Sequence, residues 1–157
     1  MKNIKDTIFA VSTPQIKSAL AIIRVSGPDS YSLIRGLSSN MPEKPNLATF
    51  NVIKTKEGLI IDQTITTLFK APKSFTGEDM VEISVHGSSA VIKKITKTLL
   101  KKENIRLANP GEFTRRAFEN NKLDLTQVEA IADIVNAETE MQRKQAVKHF
   151  SGHFFKK

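Results

Sequence analysis

Met80-Val81-Glu82-Ile83-Ser84-Val85-His86 alternates apolar and polar side chains from Val81 onward. Successive side chains of an extended strand point to opposite faces. Val81, Ile83 and Val85 therefore share one face, and Glu82, Ser84 and His86 share the other. The apolar face must be core. The polar face, with a carboxylate, a hydroxyl and an imidazole side by side, borders a solvent-reached cleft or a subunit contact, although an ordinary half-exposed strand carries the same pattern. A second strand is expected at Ala19–Val25 (ALAIIRV), rich in branched residues and stopped by Ser26-Gly27-Pro28, where Pro28 suits the first turn of a helix. Here Leu20, Ile22 and Arg24 share a face, so an arginine ends an apolar row. A charge so placed needs a partner. That partner is either an internal carboxylate or an anionic ligand that fits the guanidinium fork.

Working outward, Thr7–Val11 is a short apolar run, and Tyr31, Leu33, Ile34 and Leu37 recur at roughly helical spacing. Met41–Pro45 reads as a loop. Phe50-Asn51-Val52 and Leu59–Phe69 flank Lys56-Glu57-Gly58, a plausible hairpin turn. Beyond the central strand the pattern turns helical. Ser88–Lys102 places Val91, Ile92, Ile95, Leu99 and Leu100 on one face and lysines on the other, with cations gathered at the negative end of the helix dipole. Pro110-Gly111 breaks the chain before a short helix at Thr114–Phe118. The run from Pro110 to Phe118 (PGEFTRRAF) reads by itself as a capped, charge-dense surface loop. Thr126 and Glu129 fit a capping box, and Val128, Ile131, Ile134 and Val135 form a stripe that can continue through Gln142–His149. Strands first and helices afterwards, without regular alternation, predict an α+β fold with a mixed β-sheet. Ala137–His149 has little apolar face of its own. It therefore reads as one arm of a helical bundle whose other members lie beyond Lys157, and the chain as a fragment.

Composition narrows the function classes. With 157 residues, 39% of them hydrophobic and 25% charged, the chain can bury a core of one domain. Cysteine is absent, which removes disulfides and thiol nucleophiles. No apolar run approaches the ~18–20 residues of a membrane span, and Met1–Asp6 lacks the apolar stretch of a signal peptide, so a cytoplasmic location is expected. The formal charge is +8, from 24 Lys and Arg against 16 Asp and Glu. Lys93-Lys94, Lys97, Lys101-Lys102 and Lys156-Lys157 carry much of it, either as a solvated face or as a surface for polyanions. His86, His149 and His153 are too dispersed for a zinc site. Neither a G-x-S-x-G elbow nor a G-x-x-x-x-G-K-[ST] phosphate loop is present, so this sequence cannot hold GTP or ATP by that device.

Several segments, taken together and in order, resemble one family. They are Asp6-Thr7-Ile8, Thr13-Pro14, Ile23-Arg24-Val25-Ser26-Gly27-Pro28, Ser74-Phe75-Thr76-Gly77-Glu78-Asp79, and Glu82 with His86-Gly87. Pro110-Gly111-Glu112-Phe113-Thr114 with Arg116-Ala117-Phe118, and Lys122-Leu123-Asp124-Leu125-Thr126-Gln127 with Glu129-Ala130, extend the match. The chain is similar to the N-terminal region of the tRNA-modification GTPases MnmE, also called TrmE. The resemblance implies a folate-binding and dimerising domain over residues 1–120, like those of one-carbon transferases, and the first part of a central helical domain over 121–157, with the GTPase domain absent. It implies a homodimer that binds 5-formyltetrahydrofolate or 5,10-methylenetetrahydrofolate through Arg24, Glu82 and Lys122. The implied partners are a FAD-containing MnmG-type protein and tRNA, whose wobble uridine receives an aminomethyl or carboxymethylaminomethyl group. GTP, magnesium and potassium belong to the missing domain, and no residue of this chain is expected to be catalytic. A carboxylate such as Glu82 can accept the adjacent N–H donors of a pterin edge, and Arg24 or Lys122 can oppose the carboxylates of the folate tail. Two departures stand out: Pro14-Gln15-Ile16-Lys17-Ser18-Ala19 replaces a Pro-Gly-x-Gly stretch, and His86-Gly87-Ser88 replaces His-Gly-Gly. Both bear on loop geometry and on folate affinity. The competing readings are a basic RNA-binding module without a folate pocket and a purely structural dimerisation module.

Overall fold

The computed structural model describes residues 6–14 and 16–151. Met1–Lys5, Gln15 of the altered loop, His153 and the Lys156-Lys157 pair lie outside the described residues. The strands are β1 (Thr7–Val11), β2 (Ser18–Ser26), β3 (Thr49–Lys54), β4 (Ile60–Phe69), β5 (Met80–Gly87) and β6 (Ile105–Leu107). The helices are α1 (Ser30–Arg35), α2 (Ser89–Leu99), α3 (Glu112–Glu119), α4 (Leu125–Asn136) and α5 (Glu140–Ser151). One six-stranded sheet runs in the order β3-β4-β5-β2-β1-β6. Among the described residues only the β1–β6 pairing is parallel, so the sheet is mixed and the fold is α+β. No described helix is long and apolar enough to cross a membrane.

The alternation of the central strand is realised directly. Val81, Ile83 and Val85 are fully buried together with Ile23 and Val25 of β2 and Phe9 of β1, and Ile34, Ile95 and Leu99 of α1 and α2 close over them. The core thus sits on one face of the sheet, beneath two helices. The other face carries Leu20, Ile22 and Arg24 from β2 and Glu82, Ser84 and His86 from β5, and most of it stays open.

Four local readings are corrected by the structure. Helix α4 starts earlier than its apolar stripe suggests, so its cap is Asp124 with Gln127 rather than Thr126 with Glu129. The Asp124 carboxylate accepts the Gln127 backbone N–H at 2.8 Å, and the Gln127 side-chain oxygen accepts the Asp124 N–H at 3.0 Å. Asp124 is the better N-cap because its side chain is short and fully acceptor. The helical stripe does not run on into Gln142–His149 as one helix. Ala137 leaves the helix in an extended conformation, and Thr139 and Gln142 open a new one by exchanging bonds in both directions. Ile105–Leu107 is a strand in the half expected to be helical; only three residues long, it is recruited by its neighbour β1 rather than by a pattern of its own. Finally, Pro110–Phe118 is not a surface loop but mostly α3, and two of its charged side chains are buried.

Those two are Glu112 and Arg116, 3% and 2% exposed. Glu112 accepts from Arg106 twice, at 2.6 and 2.8 Å, and from the Asn109 backbone N–H at 2.8 Å. Arg116 donates to the Asp6 carboxylate at 2.9 Å, to the Asp6 carbonyl at 2.8 Å, to Glu78 at 3.1 Å and to Glu112 at 3.3 Å. Five segments of the chain meet in this network: the entry to β1, the loop before β5, β6, the turn after it, and α3. A charge taken out of water is tolerated where its polar atoms find partners, and here both Glu112 oxygens and both terminal nitrogens of Arg116 do. The Arg106 hydrogen bonds, helped by the Asn109 N–H, outweigh burial and hold the Glu112 carboxyl down to about 2, against an ordinary 4.5.

Because the folded-state value lies below the unfolded one, this contribution is complete above about pH 4.5 and disappears as pH falls toward 2. Its size is about 3 kcal/mol. Thermal melts should therefore give a Tm that drops steeply below pH 4.5. Glu112→Gln should lower the Tm at neutral pH and flatten that acid limb; a variant with the same acid limb as the parent would show that Glu112 is not its source.

Candidate ligand-binding face

Arg24 and Glu82 stand directly opposite each other in the antiparallel β2–β5 register. Arg24 Nε donates to Glu82 Oε1 at 2.7 Å, and the two side chains are 27% and 24% exposed. Of the two partners open to Arg24 in the sequence, the internal carboxylate is present. The pair nevertheless uses one donor and one acceptor. The two terminal nitrogens of Arg24 and the second oxygen of Glu82 have no hydrogen-bond partner among the described residues. This is a half-satisfied pair at a water-reached position, which can take on a ligand without first being dismantled.

Its surroundings are unequal on the two sides. The guanidinium carbon lies 5.4 Å from the Phe75 ring centroid and 5.8 Å from that of Phe113, so a ring from the loop 74–79 and a ring from α3 both face the cation. On the other side the sheet is open and apolar. Ile22, Ser84, Ile65 and Phe50 lie in one cross-strand row, and Thr67, Glu82, Arg24 and Ala10 in the next. Leu20, Phe50 and Ile65 are 62%, 57% and 42% exposed. Charge and a flat apolar surface therefore adjoin.

Lys122 enters from the far side of the loop 74–79. Its backbone N–H donates to the Ala117 carbonyl at 2.8 Å, and the Asn120 side chain donates to the Thr76 carbonyl at 2.6 Å, so the turn after α3 is fastened to that loop. Gly77 makes the approach possible. At φ +78° it holds a left-handed conformation, and a Cβ there would stand 3.0 Å from Asn120 Cβ and 3.1 Å from Lys122 Cγ. The loop is pinned from below as well: Ser26 bonds Thr76 at 2.7 Å and Glu78 at 2.8 Å. Arg24 and Glu82 are in contact, whereas Lys122 reaches the same loop two residues from Phe75, with no hydrogen bond or ion pair to either among the described residues.

Sequence reasoning missed three members of this face. Phe75 and Phe113 each sit in a polar, turn-rich stretch with no apolar periodicity to explain them, and that mismatch was the available signal. The third is Asp62. Its carboxylate accepts the His86 backbone N–H at 2.8 Å, lies 2.7 Å from the His86 Nδ1, and accepts the Gln63 N–H at 2.9 Å. No local pattern announces that pairing, which depends on the β4–β5 register. One departure noted above also finds its reason. Gly87 is indispensable where a Cβ would fall 2.2 Å from Ser18 Oγ and 2.6 Å from the Ser18 carbonyl oxygen, but the next residue needs no glycine: Ser88 is the N-cap of α2 and accepts the Val91 N–H at 3.1 Å.

A mixed sheet that buries one face under helices and leaves an ion pair, two rings and an apolar row on the other defines an α+β domain with one open sheet face. Comparison with known proteins makes this specific. The family described as GTP-binding protein TrmE N-terminus matches residues 7–122. Among curated relatives, the tRNA modification GTPase MnmE of Ehrlichia canis is 53% identical over 151 residues, which is 95% of this chain and 33% of the relative. Those of Ehrlichia chaffeensis and Roseobacter denitrificans are 51% and 46% identical over 146 and 147 residues, covering 93% and 94% of this chain and 33% and 34% of theirs. The chain belongs to the family of the tRNA modification GTPase MnmE and corresponds to its N-terminal TrmE region. It spans about a third of the length of these relatives.

Gly77→Ala should cost about 1–2 kcal/mol for the left-handed backbone alone, and more because Asn120 and Lys122 must give way. A melting temperature equal to that of the parent would mean that the loop does not need this conformation.

Proposed function

We propose that this chain binds a reduced folate, 5-formyltetrahydrofolate or 5,10-methylenetetrahydrofolate, across the open face of its sheet, and that Arg24, Glu82 and Lys122 are the residues that hold it. The observation that carries the reading is the Arg24–Glu82 pair, in register, half-satisfied and backed by Phe75 and Phe113. A pterin edge presents adjacent N–H donors, for which a carboxylate with a free oxygen is a fitting acceptor, and its ring can lie on the apolar row beside the pair. Lys122, exposed on the rim of the loop 74–79, suits the carboxylates of the folate tail. These residues position a one-carbon donor; the transfer itself needs a partner.

The same face supports a two-fold association. Phe50 and Ile65 are large, exposed and paired across β3 and β4, and Leu20 adds a third exposed apolar side chain on β2, beyond β5; exposed apolar surface of this kind marks an association face. A second copy seated there would bury the patch and close the folate site from above. The reading extends to the whole enzyme. With a FAD-containing MnmG-type protein, a cytoplasmic homodimer would place an aminomethyl or carboxymethylaminomethyl group on the wobble uridine of tRNA, while GTP, magnesium and potassium act in a domain belonging to the two thirds of the relatives that this chain does not span. The folate-binding and dimerisation domain is taken as residues 1–120 and the helical segment as 121–157, a division supported by the family match ending at residue 122.

Calorimetry with 5-formyltetrahydrofolate tests the site. The parent chain should release heat with one site per protomer, and Glu82→Ala should weaken binding at least tenfold while leaving the Tm within a few degrees. Absence of heat with the parent chain would remove folate from the reading. Sedimentation at micromolar concentration should give a dimer that Ile65→Glu converts to monomer; a strictly monomeric parent would remove the two-fold site.

A further inference from the structure

The face that carries the folate proposal holds few of the surplus cations. They gather on the opposite side of the sheet, along α2 and the turn between β3 and β4. The apolar stripe of α2, Ile95 and Leu99, is fully buried, which turns Lys93, Lys94 and Lys97 outward. Lys94, Thr98 and Lys101 follow at intervals of one helical turn and, with Lys56, Lys102 and Glu57, line a shallow cavity of about 170 Å³. No ion pair within 4 Å joins any of these lysines to a described carboxylate, whereas Lys70 and Lys144 elsewhere do have such partners, Asp79 and Glu140. Among the described residues, Glu57 is the one acid that lines the cavity. Its carboxyl is lowered, first by the Thr55 hydrogen bond and then by its own backbone, with Lys101 and Lys94 adding to the effect.

The shape of this charge decides what it fits. The lysines are spread along α2 at about 1.5 Å of rise per residue, so Lys93 to Lys101 covers about 12 Å. That is a row of cations, longer than one phosphate group and suited to a chain of them. A single small anion in the cavity would compete with Glu57, while a backbone running along the row meets the outer lysines. A lipid surface would ask for an apolar stripe turned outward beside the charge; α2 buries Ile95 and Leu99, and a single exposed leucine at its end, Leu100, does not make one. Few rings are near to stack on bases, so contact through phosphates is the mode that the surface offers.

We propose that the outer face of α2, from Lys93 to Lys102 with Lys56 of the adjoining turn, is a docking surface for the phosphodiester backbone of RNA. The surface lies on the side of the sheet away from Arg24 and Glu82, so RNA and folate do not compete. It goes beyond the folate reading and stands or falls separately from it.

The test is fluorescence anisotropy of the 157-residue chain with labelled tRNA over a salt series, with duplex DNA of matched length, anionic phospholipid vesicles and polyglutamate as parallel arms. The parent chain should bind tRNA with an affinity that falls steeply with salt. The triple variant Lys94→Glu/Lys97→Glu/Lys101→Glu should lose at least tenfold at low salt. Single Lys→Gln variants guard against misfolding of the triple; each should lower the salt slope by about 0.7–0.9. Lys148→Glu on α5 should change nothing, and 5-formyltetrahydrofolate heat should be the same in the parent and the α2 variants. The proposal is overturned if the single Gln variants keep the parent's affinity and slope, if Lys148→Glu loses as much as they do, if vesicles or polyglutamate bind the α2 face as tightly as tRNA, or if duplex DNA, which presents the same phosphodiester, binds independently of the α2 lysines.

Discussion

Arg116 is surrounded by acceptors on four sides, and the positions of the loops above the sheet follow from that. Its guanidinium reaches Asp6, Glu78 and Glu112, and Glu112 in turn is gripped by Arg106. Removing one partner from such a buried set leaves an uncompensated charge and costs about 3–5 kcal/mol, whereas an apolar replacement of the whole set can be neutral. The network therefore matters less for net stability than for geometry. Apolar packing would hold α3 near the sheet in several rotations; fixed hydrogen-bond directions hold it in one.

The candidate site inherits that fixity. Glu78 is bound by Arg116 on one side and by Ser26 on the other, which sets the loop 74–79 in place. That loop carries Phe75, α3 carries Phe113, and both rings face Arg24. Through Gly77 the same loop receives Lys122, whose turn hangs from the end of α3. Side chains from three distant parts of the chain are thus positioned by a set of charges that, among the described residues, makes no hydrogen bond or ion pair with Arg24, Glu82 or Lys122.

The two faces of the sheet divide the labour. One is half open, apolar, and marked by a single ion pair. The other is closed by α1 and α2, and its outer surface is lysine. Burial of Ile95 and Leu99 gives rise to both features, because the same helix that seals the core is obliged to turn its polar side to solvent. A helix on the open side would cover Leu20, Ile65 and the Arg24–Glu82 pair. Its absence among the described residues leaves that face accessible to a ligand or to a second copy.

Much of this was legible in the chain itself. Period-two alternation in Met80–His86 and Ala19–Val25 assigned the strands, their inward faces and the exposed row containing Arg24, because strand geometry alone dictates which side chains share a side. The turn at Lys56-Glu57-Gly58 and the amphipathic α2 were equally local. Order and spacing of longer motifs placed the chain in its family. What the chain alone left undecided was everything that depends on register and on distant contacts: that Arg24 pairs with Glu82, that Asp62 receives His86, that Phe75 and Phe113 converge, that Ile105–Leu107 is a strand, and that Glu112 and Arg116 are interior. Their neighbours in sequence do not distinguish a buried charge from an exposed one. Only the tertiary fold, which brings Asp6, Glu78 and Arg106 to within hydrogen-bonding distance, makes burial of those charges affordable.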